Sequence, residues 1–252
     1  MKTRIQVNPR YASLTHYLQT LPQIFDSEGR EIYRDRNVVK VLTAPDGTLL
    51  NVKRFCIPQG PNRLVYSLGI RQPKGLRAFR YPTRLLERGI CTPEPVAYLE
   101  QRSGILLCKS YFVSLQCPYE HTLKDVANAA PEVYEPLARA LGRFTADLHN
   151  RQVLHCDYSP GNVLYTVDPQ GNYRFALVDI NRMHFGPVSP DRGCANFARL
   201  WGPKRFFLLL VRAYAEARSL DADRCEAYAL KVRRRFWLHF SKRHKVLFAL
   251  EL

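Results

Sequence analysis

The stretch Leu154-His155-Cys156-Asp157-Tyr158-Ser159-Pro160-Gly161-Asn162-Val163-Leu164, followed by Leu177-Val178-Asp179, decides the fold. Asp157 and Asn162 stand five residues apart in a loop punctuated by Pro160-Gly161. Asp179 closes a strongly apolar strand seventeen residues after Asn162. Phosphoryl transfer needs such a set: a carboxylate to orient and deprotonate an acceptor hydroxyl, and oxygen ligands for the magnesium ions that bridge the phosphates. Each piece alone is weak, since a His-x-Asp triplet is common by chance and a strand-end Asp is more often a turn residue. The reading rests on their order: strand Lys, helix, two strands, helix, His-x-Asp-x4-Asn, strand, Asp.

Upstream, residues 37–55 read as strand, turn, strand, with Asp46-Gly47 as the turn between β-rich flanks. Lys53 lies in the second of these strands, where a lysine can reach nucleotide phosphates. Residues 11–25 carry Leu14, Tyr17, Leu18 and Leu21 at helical spacing, and Pro22 is expected to end or kink that helix. A basic stretch over residues 63–88 is partly helical, and strands follow at 96–100 and 104–115. Leu137, Leu141, Phe144 and Leu148 recur in steps of four, three and four, which predicts an amphipathic helix over 132–151. Further strands are expected at 163–165 and 175–178, and two or three helices from 196 to the end. The fold class is therefore α+β, with strands early and helices late. The domain reading is an N-lobe over 1–113 (N-terminal helix, sheet, one helix) and a C-lobe over 114–252.

Composition narrows the partners. The chain has 252 residues, 46% of them apolar, so it can bury a sizeable core. Lys and Arg number 38 against 22 Asp and Glu, a net charge of +16, which favours an anionic partner. No apolar h-region occupies residues 1–9, and the longest apolar run, 206–211, is far short of the roughly 20 residues a membrane span needs. Seven scattered cysteines show no zinc-like spacing and read as reduced thiols. A cytoplasmic location is expected.

These motifs resemble those of the lipopolysaccharide kinase family, the bacterial kinases of heptose and 3-deoxy-octulosonic acid residues, in the form typical of Bacteroidetes. The resemblance runs over residues 8–218. It is carried by Asn51-Val52-Lys53-Arg54-Phe55, Thr92-Pro93-Glu94-Pro95-Val96-Ala97-Tyr98, the 154–164 stretch, and Leu177-Val178-Asp179-Ile180-Asn181-Arg182-Met183. It implies a two-lobed protein-kinase-like fold, a small β-rich N-lobe and a larger helical C-lobe with ATP between them. It further implies that Lys53 contacts the ATP phosphates, Asp157 is the catalytic base, and Asn162 and Asp179 bind Mg2+. His155 reads better as a buttress of the loop than as a chemical group. Tyr158-Ser159 replaces the Leu-Lys of many protein kinases, which tilts the acceptor away from protein.

The chain departs from the pattern in its first half. No Gly-x-Gly-x-x-Gly precedes Lys53, the turn offering only Gly47, so ATP affinity is expected to be modest. Where the family places the Glu that pairs with the lysine, this chain has Arg80. Two like charges about 4 Å apart cost on the order of 4 kcal/mol at an effective dielectric near 20, so Lys53 and Arg80 cannot simply face each other. Pro82 suits the first turn of a helix, which would leave Arg80 outside it, and Glu87 is a substitute about 10 Å further along the axis. Asn181 stands at the Gly of Asp-Phe-Gly and no Ala-Pro-Glu follows, which argues against a mobile activation segment.

Three functions compete at this level. The first is an ATP-dependent kinase of a lipopolysaccharide sugar hydroxyl, acting on that or another anionic glycolipid at the cytoplasmic membrane face. The second is a kinase of a protein or small molecule, and the third a pseudokinase binding module. The tail over 231–245 interleaves Phe236, Trp237, Leu238 and Phe240 with cations. It reads either as a helix on the anionic inner leaflet or as a last helix packed on the C-lobe. Nucleic acid is not an expected partner, because no reading motif accompanies the basic patches.

Overall fold

Alternating apolar residues and the Asp46-Gly47 turn lay down the expected hairpin in the computed structural model, which describes residues 1–57 and 59–251. Gly47 sits at φ +85, a left-handed conformation glycine adopts without strain, and its N–H closes the turn on Ala44 O at 2.9 Å. The chain forms two units, Met1–Pro118 and Tyr119–Leu252.

The first unit runs β1 (Lys2–Val7), a 3-10 segment (Pro9–Leu14), α1 (Thr15–Ile24), β2 (Arg30–Arg34), β3 (Val38–Thr43) and β4 (Leu49–Phe55). It continues through α2 (Pro61–Ser67), α3 (Lys74–Leu86), β5 (Pro95–Ser103) and β6 (Leu106–Leu115). Among the described residues these strands make one antiparallel sheet in the order β1-β5-β6-β4-β3-β2. Leu42, Leu50, Val52, Leu99 and Val113 join Leu18 and Leu21 of α1 and its C-cap residue Phe25 in one core cluster. Burying each such side chain contributes about 1.5–3 kcal/mol. Tyr111 meets Phe25 edge-on, ring centroids 5.5 Å apart. Lys53 points to the other face, two residues before Phe55 and opposite Val39 and Phe112. There α3 approaches so closely that a Cβ on Gly75 would lie 2.8 Å from Tyr98 Cε2 and 3.3 Å from Phe55 Cδ2.

Two proline expectations are corrected. Pro22 does not end α1: Phe25 N still donates to Leu21 O at 2.9 Å, because Leu18, Leu21 and Phe25 remain locked in the core. Pro82 does not begin α3 but lies inside it, buried with Ala78 and Leu85 on one stripe. That apolar packing outweighs the one hydrogen bond a proline forfeits. Arg80 is therefore within the helix, exposed, and Glu87 is its exposed C-cap residue. The strands β1 and β2 have no counterpart in the sequence reading. β2 is exposed along its whole length, so no apolar alternation marks it.

The second unit begins with β7 (His121–Thr122) and a 3-10 segment (Leu123–Asn128). It continues through α4 (Pro131–Asn150), β8 (Val153–His155), β9 (Val163–Val167), β10 (Tyr173–Leu177) and β11 (Met183–Phe185) to α5 (Pro190–Ala195), α6 (Lys204–Ala217) and α7 (Ala222–Phe240). Leu137, Leu141 and Leu148 of α4 are buried, as their spacing predicts. A Cβ on Gly142 would lie 2.4 Å from Leu210 O, so α4 crosses α6 backbone to backbone. Two small sheets, β10-β9-β7 and β11-β8, hold the loops that carry Asp157, Asn162 and Asp179. Among the described residues no helix is long and apolar enough to cross a membrane.

Candidate active site

Four residues of the second unit close a hydrogen-bonded ring. His155 ends β8, fully buried; its Nε2 lies 3.0 Å from Val178 O, and its Nδ1 accepts from the Asp157 N–H at 3.1 Å. Both contacts fix the neutral tautomer with the proton on Nε2. Burial, the dominant influence, depresses the ring's pKa below its ordinary value. Val178 N–H in turn donates to Asn162 O at 3.0 Å, and Asn162 Nδ2 donates to Asp157 O at 2.9 Å. The Asp157 loop and the strand end before Asp179 are thereby one braced unit. Tyr158 anchors the loop from below: its ring is buried and its hydroxyl lies 2.8 Å from Thr145 Oγ1 on α4.

Asp157 is only partly buried, and cations surround it. Arg199 Nη1 hydrogen-bonds Oδ1, and Arg182 Nη1 stands 3.6 Å from Oδ2. Arg199 ends the 3-10 segment Asn196–Arg199, and its guanidinium lies over the Phe236 ring of α7, 5.5 Å from the centroid. Lys124 reaches the middle of the loop: a Cβ on Gly161 would lie 3.1 Å from its Cε and 3.6 Å from its Nζ.

Asp179 adopts φ +52, and its Oδ1 accepts a hydrogen bond from Asn181 Nδ2. Asn181 is buried, and its own Oδ1 has no hydrogen-bond partner among the described residues. A buried orphan acceptor beside a carboxylate calls for a ligand or its water. Asn162, with its Nδ2 engaged by Asp157 O, keeps Oδ1 as an acceptor. This donor set suits magnesium, which takes oxygen ligands and retains several waters.

A second chain of bonds supports the loop from behind. Arg218 Nη1 donates to the Tyr214 hydroxyl, which lies 2.9 Å from His149 Nδ1. His149 Nε2 is 3.3 Å from Asn196 Oδ1, and Asn196 Nδ2 donates to His155 O at 3.0 Å. Burial pushes the His149 pKa down to about 3. The tight fit depends on Gly193, where a Cβ would fall 1.9 Å from the Tyr214 oxygen. On α7, Arg233 is buried and donates to Leu200 O at 2.6 Å and Gly202 O at 3.0 Å, which fixes the segment just after Arg199. Burial lowers its pKa to about 10. Trp237 is likewise buried, edge-on to Phe248 with centroids 5.0 Å apart, so this part of the tail packs inside the unit.

Of the residues singled out from sequence, Asp157, Asn162 and Asp179 come together in the second unit. Lys53 stands on β4 of the first unit, its Nζ 5.3 Å from the Phe55 ring centroid. The sequence reading missed Arg199, Asn196 and Lys124. The first two lie about forty residues from the loop they touch, and no short spacing links them to it. Arg182 was visible inside a quoted motif but was given no role.

A family model described as Lipopolysaccharide kinase (Kdo/WaaP) family matches residues 61–200. No curated protein matches the chain. Among solved structures, the chain is similar to "WaaP in complex with acyl carrier protein", with 18% identity and a TM-score of 0.58, over 93% of this chain and 99% of that one. It is also similar to "Amicoumacin kinase hAmiN in complex with AMP-PNP, Ca2+ and Ami", with 12% identity and a TM-score of 0.54, over 94% of this chain and 95% of that one. The kinase-like α+β fold expected from the motifs is the fold observed.

Proposed function

The chain belongs to the lipopolysaccharide kinase (Kdo/WaaP) family and is a phosphotransferase, and from that premise we propose that it transfers the γ-phosphoryl group of ATP to a sugar hydroxyl of lipopolysaccharide. The acceptor lies in the inner core or lipid A region, met at the cytoplasmic membrane face. The observation that carries the chemical part is the ring His155–Val178–Asn162–Asp157. It holds one carboxylate and two metal-type oxygen donors on a common brace, as positioning-dominated phosphoryl transfer requires.

In this reading Asp157 accepts the hydrogen bond of the acceptor hydroxyl, aligns it for in-line attack and takes its proton. Asn162 and Asp179 hold magnesium, which, when bound, neutralises charge building on the phosphoryl oxygens. Asn181 keeps the Asp179 carboxylate aimed by its amide bond to Oδ1. Lys53 contacts the donor phosphates, and Lys124 adds a cation at the loop centre. With Arg80 exposed in α3 and no Gly-rich loop, nucleotide affinity is modest. The amicoumacin kinase complex with AMP-PNP and a divalent cation supports a nucleotide and metal on this fold. Exposed Lys231, Arg234, Arg235, Lys242 and Arg243, together with the net charge of +16, support contact with an anionic membrane surface.

The test is incubation of the pure protein with labelled ATP, magnesium and extracted lipopolysaccharide, with Asp157→Asn as control. Label should enter the saccharide with the wild type. The variant should lose about 10²–10⁴-fold in kcat, the usual contribution of a positioned base. Equal transfer by the variant would overturn the assignment of Asp157.

A further inference from the structure

Asp157 has both carboxylate oxygens facing arginine, and this bears on what the acceptor must carry. A carboxylate that takes a proton from a hydroxyl needs a lone pair directed at it within about 3 Å. Oδ1 is taken by Arg199, and Oδ2 looks toward Arg182 at 3.6 Å. An acceptor hydroxyl that is to bind Oδ1 has to displace Arg199 from it. The Arg199 side chain is 42% exposed and rests on the Phe236 ring, so it has both space and a platform on which to swing. The Arg182 side chain is more exposed, at 52%, and stands 3.6 Å from Oδ2, so Arg199 is the cation hydrogen-bonded to the carboxylate. A guanidinium drawn off a carboxylate needs another anion to keep its charge-assisted bonds. Around the loop the three cations Arg182, Arg199 and Lys124 outnumber the two carboxylates of Asp157 and Asp179, so the local field favours such an anion arriving with the acceptor.

Resting on the kinase reading above, we propose that Arg199 determines acceptor specificity. It occupies Asp157 Oδ1 in the resting enzyme and transfers to a phosphate or carboxylate that the acceptor carries beside its reacting hydroxyl. A neutral saccharide whose hydroxyl takes Oδ1 has to break the Arg199–Asp157 pair with nothing to replace it. Water meets the same barrier, so the pair also restrains hydrolysis of ATP.

The experiment uses two probes made from one preparation: de-O-acylated lipopolysaccharide, and the same saccharide after phosphatase treatment and carboxyl reduction. The wild type should favour the anionic probe by about tenfold or more in kcat/KM, as a site built for a polar group rejects the analogue lacking it. Arg199→Gln and Arg199→Ala should bring the two probes within about twofold of each other. Both should leave KM for ATP unchanged and raise acceptor-independent ATP hydrolysis severalfold, while Arg199→Lys keeps part of the preference. Circular dichroism identifies any variant that fails to fold, and the Gln and Lys variants, closer in size, then carry the test. A preference that survives in both the Ala and Gln variants overturns the inference. So does a rise in KM for ATP that is the same with either probe, since that assigns Arg199 to the donor phosphates. Equal use of both probes by the wild type overturns the inference alone. Transfer to neither probe by the wild type overturns the lipopolysaccharide acceptor, and this inference with it.

Discussion

The imidazole of His155 donates from Nε2 to the carbonyl of Val178 at 3.0 Å, so a residue two places before Asp157 fixes the strand end that presents Asp179. The loop and the strand cannot shift separately while that bond holds. His155→Ala removes it, strands the part-buried Val178 carbonyl, and frees the Asp157 N–H. A loss on the order of 3 kcal/mol is expected in urea unfolding, because each buried group left unpaired costs about 1–3 kcal/mol. Turnover should fall with it, since Asp157 and Asn162 lose their common brace.

Asn181 replaces the glycine that lends mobility in related motifs, and its amide is instead bonded to Asp179. Asn181→Ala keeps the fold but lets the Asp179 carboxylate rotate. The magnesium concentration for half-maximal ATP turnover should rise about 10- to 100-fold, the range seen when an outer partner of a metal ligand is removed. A magnesium titration at saturating ATP reads this directly. An unchanged midpoint would remove Asn181 from the site.

Two buried histidines set the acid limit of stability. His149 titrates near pH 3 in the folded chain against an ordinary value of 6.5, and His155 is depressed for the same reason, burial. Below about pH 6.5 the unfolded chain binds these protons and the folded chain does not. Stability is therefore complete above pH 6.5 and falls as pH drops toward 3. The slope approaches about 1.4 kcal/mol per pH unit for His149, and His155 adds to it in the same direction. Urea midpoints at pH 7 and pH 5 measure the decline, and His149→Gln should flatten it.

Arg233 shows that charge in the tail is partly structural. It is buried, with its two guanidinium bonds going to Leu200 and Gly202 carbonyls. Arg233→Met should cost about 2–4 kcal/mol, since two buried acceptors lose their donor. Thermal unfolding compares it with Arg235→Met, an exposed control on the same helix, which should move stability by less than about 0.5 kcal/mol.

How far the molecule could be read from its sequence depends on the distance over which each contact is made. Asp157, Asn162 and Asp179 were legible because their spacing lies within one run of strands and loops. The β3–β4 hairpin was legible because Asp46-Gly47 dictates its own turn. Pro82 was misread because a local rule competes with tertiary packing of Ala78, Pro82 and Leu85, and packing prevails. β2 gave no signal because it pairs through its backbone alone at the sheet edge. Arg199, Asn196 and Phe236 reach the site only once α5 to α7 have folded around it, and nothing in their immediate neighbours marks them.

The left-handed backbone at Asp179, with φ at +52, narrows what evolution or an engineer can place there. A residue with a Cβ meets a steric penalty of roughly 1–2 kcal/mol in that region, which Asp and Asn offset with local hydrogen bonds. Glutamate carries the same charge yet lacks that local bonding, so the backbone rejects it before its carboxylate is considered. In the proposed site the position is filtered twice, first by conformation and then by the metal it would hold, and a short acidic side chain passes both.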